Sequence, residues 1–199
     1  MKRMPIGQTL VTRVSRPPTR TPRARMSGVT LVELLAVIAI VAILLSIGVP
    51  SYQYITTSYR ISSEANGLLG DLQFARVEAI KEGQTVTACV SSDGAHCAGA
   101  DGWQAGWIVF SDVSDNQTVG AADTILRVQS AFTSTDTFDG TVTAVTFSRD
   151  GFALGLGTSG GATITLHNST SNPNWTRCLE LNVAGIMSIY THTTQATCT

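Results

Sequence analysis

The chain has 199 residues, 43% of them hydrophobic, and a formal net charge of −1. This length suffices for one domain with an appendage and a sizeable buried core. The charge is unevenly distributed: residues 1–28 carry seven Lys/Arg and no acid, whereas residues 29–199 carry six basic and all fourteen acidic residues. The larger part is therefore acidic, which excludes nucleic-acid binding by bulk electrostatics because phosphate contacts need lysine or arginine.

A basic segment followed by a long apolar run opens the chain. From Val29 to Val49 the only charged residue is Glu33, and a helix of this length matches the hydrocarbon thickness of a membrane. The basic flank is N-terminal, which predicts a cytoplasmic N-terminus and an exported remainder. A cleaved secretory signal would have a shorter apolar region. A simple membrane anchor would fit the length but leave the carboxylate of Glu33 unexplained, since acids in lipid are costly and usually have a functional partner.

The position of Glu33 suggests a partner. It lies four residues after Val29, whose amino group would become a free cation if the chain were cut after Gly28. A carboxylate and an amine near one helix start could pair, either within a subunit or between neighbouring subunits.

After Pro50 the sequence becomes amphipathic. Apolar residues recur at spacings of three and four, acidic and basic residues occupy the other side, and Gly83 stands where a helix C-cap is expected. The pattern predicts one helix over about 30–82, apolar on all sides in its first half and with one apolar stripe in its second. The stripe is predicted to comprise Ile61, Ala65, Leu68, Leu69, Leu72, Ala75, Ala79 and Ile80.

Residues 83–199 predict an antiparallel β domain, so the fold class is α+β. Runs rich in β-branched and aromatic residues alternate with Gly, Asn, Asp and Ser, and turns are expected at 148–151 and 182–185. About seven strands packed against the helix are expected. The predicted strands are 84–90, 106–112, 124–130, 141–148, 162–168, 176–183 and 186–192.

Four cysteines form two local groups. An even number beyond a membrane segment indicates an oxidising compartment and two disulfides, Cys89 with Cys97 and Cys178 with Cys198. His96 could be imagined as a metal ligand beside the first pair, but zinc needs four ligands and only three are local. We therefore expect no metal, and we expect the second disulfide to hold the final residues in place.

Two glycine-rich motifs overlap between residues 155 and 161. GLGTSG matches GxGxxG, and GTSGG matches GxSxG around Ser159. Both motifs need a helix directly afterwards, whereas the residues that follow, ATITL, predict a strand. A glycine hairpin is the better interpretation.

The remaining polar and aromatic candidates are also assigned structural roles. His167 and His192 are expected at a surface or edge, and Trp103 and Trp107 in the core or an interface. The loop with Asp112, Asp115 and Asn116 lacks the EF-hand pattern for calcium, so a solvated turn is expected. Without a clustered acid–base set, we predict no catalytic residues, no cofactor and no enzyme activity.

The N-terminal residues carry a family resemblance. GVTLVE at residues 28–33, the apolar stretch and then Pro50 resemble the class III signal of type IV pilins and pseudopilins. The resemblance implies cleavage after Gly28 by prepilin peptidase and N-methylation of Val29, where Phe is usual in the family. It further implies that Glu33 pairs with the N-terminal amine of an adjacent subunit, and that the helix is kinked at Pro50.

Downstream residues narrow the resemblance to the GspH/FimT group of minor pseudopilins. The stretches are LLGDLQFARVEAIKEGQTVTAC, GWQAGWIVFSD and VTFSRDGFALG. The resemblance implies a cleaved leader (1–28), a transmembrane and fibre-core helix (29–50), its amphipathic continuation (51–82) and a periplasmic β domain (83–199). It implies a single-pass inner-membrane protein that enters a type IV pilus or a type II secretion pseudopilus. The implied partners are other pilins, prepilin peptidase, the inner-membrane assembly platform and membrane lipid.

DNA uptake is the alternative function that this resemblance raises. Some members of the FimT branch bind DNA during natural transformation, and the resemblance would place an arginine-rich GRxR motif in the C-terminal region. The matching residues 185–188 are GIMS, without arginine. Phosphate contacts would then depend on Arg127, Arg149 or Arg177, with stacking by Trp175 and Tyr190. Nucleic acid is therefore not expected as a partner.

Overall fold

The computed structural model describes residues 28–100, 102–157 and 160–191, together with residue 198. The chain divides into two compact units, Met1–Leu45 and Ser46–Thr199. The predicted leader, apart from Gly28, lies outside the described residues, and so does His192.

Helix α1 covers Leu31–Glu82. Its buried side chains are spaced alternately by four and three residues, which makes a narrow stripe: Ile61, Ala65, Leu68, Leu72, Ala75 and Ala79. Leu69 is only partly buried, and the prediction that Ile80 joins the stripe is wrong, since its side chain is 52% exposed. Each follows a stripe residue directly and so points about 100° away from it on the helix.

The helix ends where the sequence predicts. The backbone N–H of Gly83 donates to the carbonyl of Ala79 at 3.0 Å, and Gly83 has a φ of +69°. This left-handed conformation is favourable for glycine and is the usual way in which a helix is capped at its C-terminus.

Nine strands form two antiparallel sheets in the described chain. The strands of sheet A are β1 (Val86–Val90), β2 (Gly106–Ser111), β3 (Thr124–Ser130), β5 (Ala144–Phe147) and β6 (Ala153–Leu154). Those of sheet B are β4 (Thr137–Gly140), β7 (Gly161–His167), β8 (Arg177–Asn182) and β9 (Met187–Thr191). The order of the strands is β3-β2-β1-β5-β6 in sheet A and β4-β7-β8-β9 in sheet B.

The α+β class and all seven predicted strands are confirmed, and the structure adds β4 and β6. Neither has the alternating run of β-branched residues on which strand prediction relies. β4 contains an aspartate and a glycine, TFDG, and β6 has only two residues. Both are held by their partners: β4 by β7, and β6 by β5.

The core lies where the helix stripe meets the inner faces of both sheets. It includes Trp103 and Trp107, as the sequence predicts, and both indoles are fully buried. β1 and β2 are buried on both faces, because a second, smaller cluster covers the outer face of sheet A. Its buried members are Cys89, Ile108, Phe110 and Ala144.

Both predicted disulfides are present. Cys89–Cys97 joins β1 to the following loop and contributes to the outer cluster of sheet A. Cys178–Cys198 links β8 to a residue near the C-terminus, and both of its cysteines are buried. The three residues considered as metal ligands therefore have other partners. Cys89 and Cys97 are bonded to each other, and His96 contacts Asp93 at 2.8 Å.

Candidate functional site

The first described residues form the start of helix α1 and an exposed segment before it. Gly28, Val29 and Thr30 precede the helix and are exposed. The hydroxyl of Thr30 accepts a hydrogen bond from the backbone N–H of Glu33 at 3.2 Å, and its carbonyl accepts one from Leu34 at 3.1 Å. Thr30 is therefore the N-cap and Glu33 the third helical residue.

This local geometry gives Glu33 a structural explanation that the spacing TLVE at 30–33 could have revealed. A threonine followed three residues later by glutamate is the sequence of a capping box. The carboxylate also lies at the positive end of the helix dipole, where a negative charge is favourable. Helix capping thus accounts for an acid at this position, but it does not require the acid to be charged.

The apolar run itself is exposed throughout the first unit. Among the described residues, one helix is long and apolar enough to cross a membrane by length and composition, and the run lies in it. Pro50 lies inside this helix. Its ring carries no N–H, so one hydrogen bond of the helical ladder is missing at that turn.

Arg76, within the family-like stretch ARVEAIKEGQ, joins the helix to two turns of the β domain. Its Nε donates to the carbonyl of Gly151 at 2.9 Å, and its Nη2 donates to the carbonyl of Ala184 at 3.2 Å. Gly185, which follows Ala184, has a φ of +72°, and a Cβ added to Gly185 would meet the carbonyl oxygen of Gly151. The turns therefore approach each other too closely for any other residue there.

Arg60 and Asp136 form a second link between the helix and the β domain. The guanidinium donates twice to the carboxylate, at 2.6 and 2.9 Å, and the side chain of Asp136 is almost fully buried. This hydrogen bonding raises the pKa of Arg60. Glu64, one helical turn along, accepts a hydrogen bond from Ser134 at 3.2 Å, while its second oxygen is buried without a partner in the described structure.

Comparison with known protein families decides the relationship. Residues 64–185 match the family model of the Type II transport protein GspH, which is more than half of the chain. The chain belongs to the GspH family. Residues 23–49 match the prokaryotic N-terminal methylation motif. A comparison with curated protein sequences finds no match.

Solved structures resemble this GspH-family chain in fold. The type IV minor pilin FimU of Pseudomonas aeruginosa PAO1 matches with a TM-score of 0.54 and 20% identity, covering 68% of this chain and 91% of that one. A second crystal form of FimU gives a TM-score of 0.51 and 20% identity, with 66% and 94% covered. The minor pseudopilin EpsH of the Vibrio cholerae Type 2 Secretion System gives 0.45 and 11%, with 65% and 95% covered.

The acidic loop of this GspH-family chain is built differently from the expected solvated turn. Asp115 and Asn116 are exposed, but Asp112 is fully buried, so the prediction is wrong for that residue. Its carboxylate accepts hydrogen bonds from the hydroxyl of Thr87 and the backbone N–H of Gln117, both at 2.9 Å. One donor belongs to the neighbouring strand and the other to the loop itself, so the carboxylate of Asp112 holds the loop against sheet A.

The other sequence candidates have structural partners. The ring of His167 is within 3.0 Å of Asp139 and Thr137, which joins β4 to β7. Both glycine motifs are followed by strand β7 and not by the helix that they need. No group of three or more His, Cys, Asp or Glu that could hold a metal occurs in the described part of the chain.

The cations considered for DNA contact are mostly engaged. Arg127 pairs with Asp71 at 2.6 Å and lies over the ring of Phe74. Arg177 donates to two backbone carbonyls. Arg149 is exposed and lies 3.9 Å from a carboxylate oxygen of Asp150.

Proposed function

We propose that this GspH-family protein is a structural subunit of a type IV pilus or a type II secretion pseudopilus and assists assembly or priming of the fibre. In this proposal prepilin peptidase removes the leader after Gly28, and Val29 becomes the methylated N-terminus. The subunit stays in the inner membrane, with its β domain in the periplasm, until the assembly platform adds it to the fibre.

One observation carries the proposal: the exposed apolar run at the start of helix α1 bears a single acid, Glu33, in the first turn of the helix. Exposed apolar surface on this scale needs lipid or another helix to cover it. In a fibre, neighbouring helices cover it, and Glu33 pairs with the amino group of an adjacent subunit. That pairing offsets the cost of moving the carboxylate into an apolar environment.

The test separates charge pairing from helix capping. Glutamine serves as well as glutamate in a capping box, but it cannot pair with an amine as an anion. We therefore expect both Glu33→Gln and Glu33→Ala to abolish incorporation into sheared filaments while leaving the membrane level of the subunit unchanged. If Glu33→Gln assembles normally, capping alone explains the residue and the pairing proposal is wrong.

Processing is tested on the unmodified chain. Mass spectrometry of the membrane-extracted protein should show Val29 as the first residue, with the mass of one added methyl group. A strain without prepilin peptidase provides the control, in which the leader should remain. An uncut chain in the presence of active peptidase would contradict the proposal.

DNA uptake remains the second candidate only through the resemblance to the FimT branch. Arg127 and Arg177 have protein partners, and a phosphate would have to displace them. We expect no gel shift with short duplex DNA even at low salt, where electrostatic binding is strongest. A shift that weakens steeply with salt would instead favour the uptake role.

A further inference from the structure

Part of helix α1 in the second unit is left uncovered by the β domain. The first buried residue of the helix is Ile61. Before it, Tyr52, Ile55 and Tyr59 are 70%, 47% and 74% exposed. They are spaced by three and four residues and therefore lie on one face of the helix. We call these three residues the tyrosine face.

The tyrosine face differs from the other side of the same helix. Tyr54 lies against Trp175, with 5.6 Å between the ring centroids. Thr57 and Ser58 are partly buried. The β domain thus contacts one side of this stretch, whereas Tyr52 and Tyr59 on the other side are mostly exposed.

Charge is absent well beyond the apolar run. No Asp, Glu, Lys or Arg occurs between Leu34 and Tyr59, and the next charge is Arg60. A hydrocarbon core needs about 20 helical residues, and the headgroup layers add about 5–8 Å on each side. The uncharged stretch is long enough for the core and one headgroup layer, and the tyrosine face forms its C-terminal end.

The polar groups of this stretch suit such a layer. The hydroxyl of Thr56 donates back to the carbonyls of Tyr52 and Gln53, at 3.0 and 3.1 Å, a bond that satisfies hydroxyls on helices in lipid. Tyrosine has an apolar ring and a polar tip, and tyrosines are enriched where a membrane meets water.

We propose that the tyrosine face lies in the headgroup layer on the periplasmic side of the membrane at Tyr52 and extends about 10 Å along the helix to the water side of that layer at Tyr59, and that it fixes the depth of the subunit before assembly. The occupant is the phospholipid headgroup region. The inference rests on the proposed membrane anchoring and adds to it a position for residues beyond the apolar run. A dry contact with a neighbouring helix is less suitable, because it would remove two tyrosine hydroxyls from water.

Depth-dependent fluorescence quenching tests this placement in the full chain. The variants Tyr52→Trp and Tyr59→Trp are reconstituted at high dilution into phosphatidylcholine–phosphatidylglycerol vesicles. The lipids carry bromine either near the headgroup or near the middle of the acyl chain. We expect Tyr52→Trp to lose more emission with headgroup-proximal bromine than with mid-chain bromine, and Tyr59→Trp to be quenched less than Tyr52→Trp. Emission of the unmodified chain, with its native tryptophans, is subtracted.

Two further variants serve as controls, one for a residue outside the membrane and one for a residue within the hydrocarbon. Phe152→Trp, in an exposed turn between β5 and β6, should be quenched by neither lipid. Ile40→Trp, within the apolar run, should be quenched most by mid-chain bromine. If Ile40→Trp is not quenched and the chain does not float with the vesicles, the membrane anchoring itself is wrong.

If mid-chain bromine quenches Ile40→Trp, the chain is inserted in the membrane, and the quenching of Tyr52→Trp then decides the inference. Quenching of Tyr52→Trp no greater than that of Phe152→Trp would place the face in water or against protein and would overturn the proposal. Stronger quenching by mid-chain bromine than by headgroup-proximal bromine would place it in the hydrocarbon and would overturn it equally.

Discussion

Glu64 combines partial burial with a neighbouring negative charge. Burial raises the pKa of Glu64, and the charge of Asp136 raises it further, while the hydrogen bond from Ser134 and the charge of Arg60 act in the opposite direction. The carboxylate is therefore more easily protonated in the folded chain than in the unfolded one. Glu64 favours folding at pH values below its unfolded pKa, about 4.3, and this contribution is lost as the pH rises through the folded pKa.

From this sign we predict that Glu64→Gln stabilises the protein near neutral pH. Glutamine removes the penalised charge and can still accept the hydrogen bond of Ser134. The gain in the free energy of unfolding should be below about 1 kcal/mol, because Glu64 is partly solvated and water screens the charges. In urea unfolding followed by tryptophan emission, the gain should disappear at pH values below about 4.

A matched control is Glu82→Gln, at an exposed position near the end of the same helix. It should give no comparable pH-dependent gain. Destabilisation by Glu64→Gln near neutral pH would show that the charge of Glu64 supports the neighbouring ion pair of Arg60, contrary to this account.

At the scale of elements, Arg76 connects helix α1 to the turns β5–β6 and β8–β9. Its partners are backbone carbonyls 75 and 108 residues away in sequence, and the two turns belong to different sheets. Ala153 and Val183 form a further backbone hydrogen bond at 3.0 Å between the same two regions. One helical side chain thus helps to hold both sheets against the helix.

We predict that Arg76→Ala lowers the free energy of unfolding by about 2–3 kcal/mol, since hydrogen bonds to charged groups contribute roughly 1.5–3 kcal/mol. Lys81→Ala, which removes an exposed cation from the same helix, should change it by less than about 0.5 kcal/mol. Thermal and urea unfolding measure both variants. Equal effects of the two substitutions would show that the contacts of Arg76 with the turns contribute little.

These elements also show what sequence could and could not reveal. The helix, its stripe and seven strands follow from periodicity, which is a local property. The roles of Arg76 and Asp112 do not, because their partners are distant backbone groups or loop N–H groups that any residue could supply. Burial of Asp112 contradicts the usual preference of aspartate for the surface and depends on donors that exist only in the folded loop. At the N-terminus, by contrast, Thr30 and Glu33, the two residues of the observed cap, both lie within TLVE, so a local sequence pattern could predict it.

At the scale of the whole molecule, helix α1 belongs to both units. Its residues from Ile61 to Ala79 supply part of the core of the β domain, whereas the residues before Ile61 supply no fully buried side chain. The boundary of the independently folding part should therefore lie before Ile61, and not at the end of the helix.

Two truncations test this boundary. A chain of residues 55–199 retains every buried helical residue, so we expect it to be soluble and to unfold cooperatively.

A chain of residues 69–199 lacks Ile61, Ala65 and Leu68 and leaves the buried Asp136 without Arg60. Losing Ile61 and Leu68 alone should cost about 2–5 kcal/mol each, against a total stability of about 5–15 kcal/mol for a typical protein. We therefore expect the shorter chain not to fold, as measured by circular dichroism and by the emission of Trp103 and Trp107. Similar melting of the two chains would show that the β domain folds without this part of the helix. If the chain of residues 55–199 does not fold, the boundary lies further towards the N-terminus, among the exposed helical residues before residue 55.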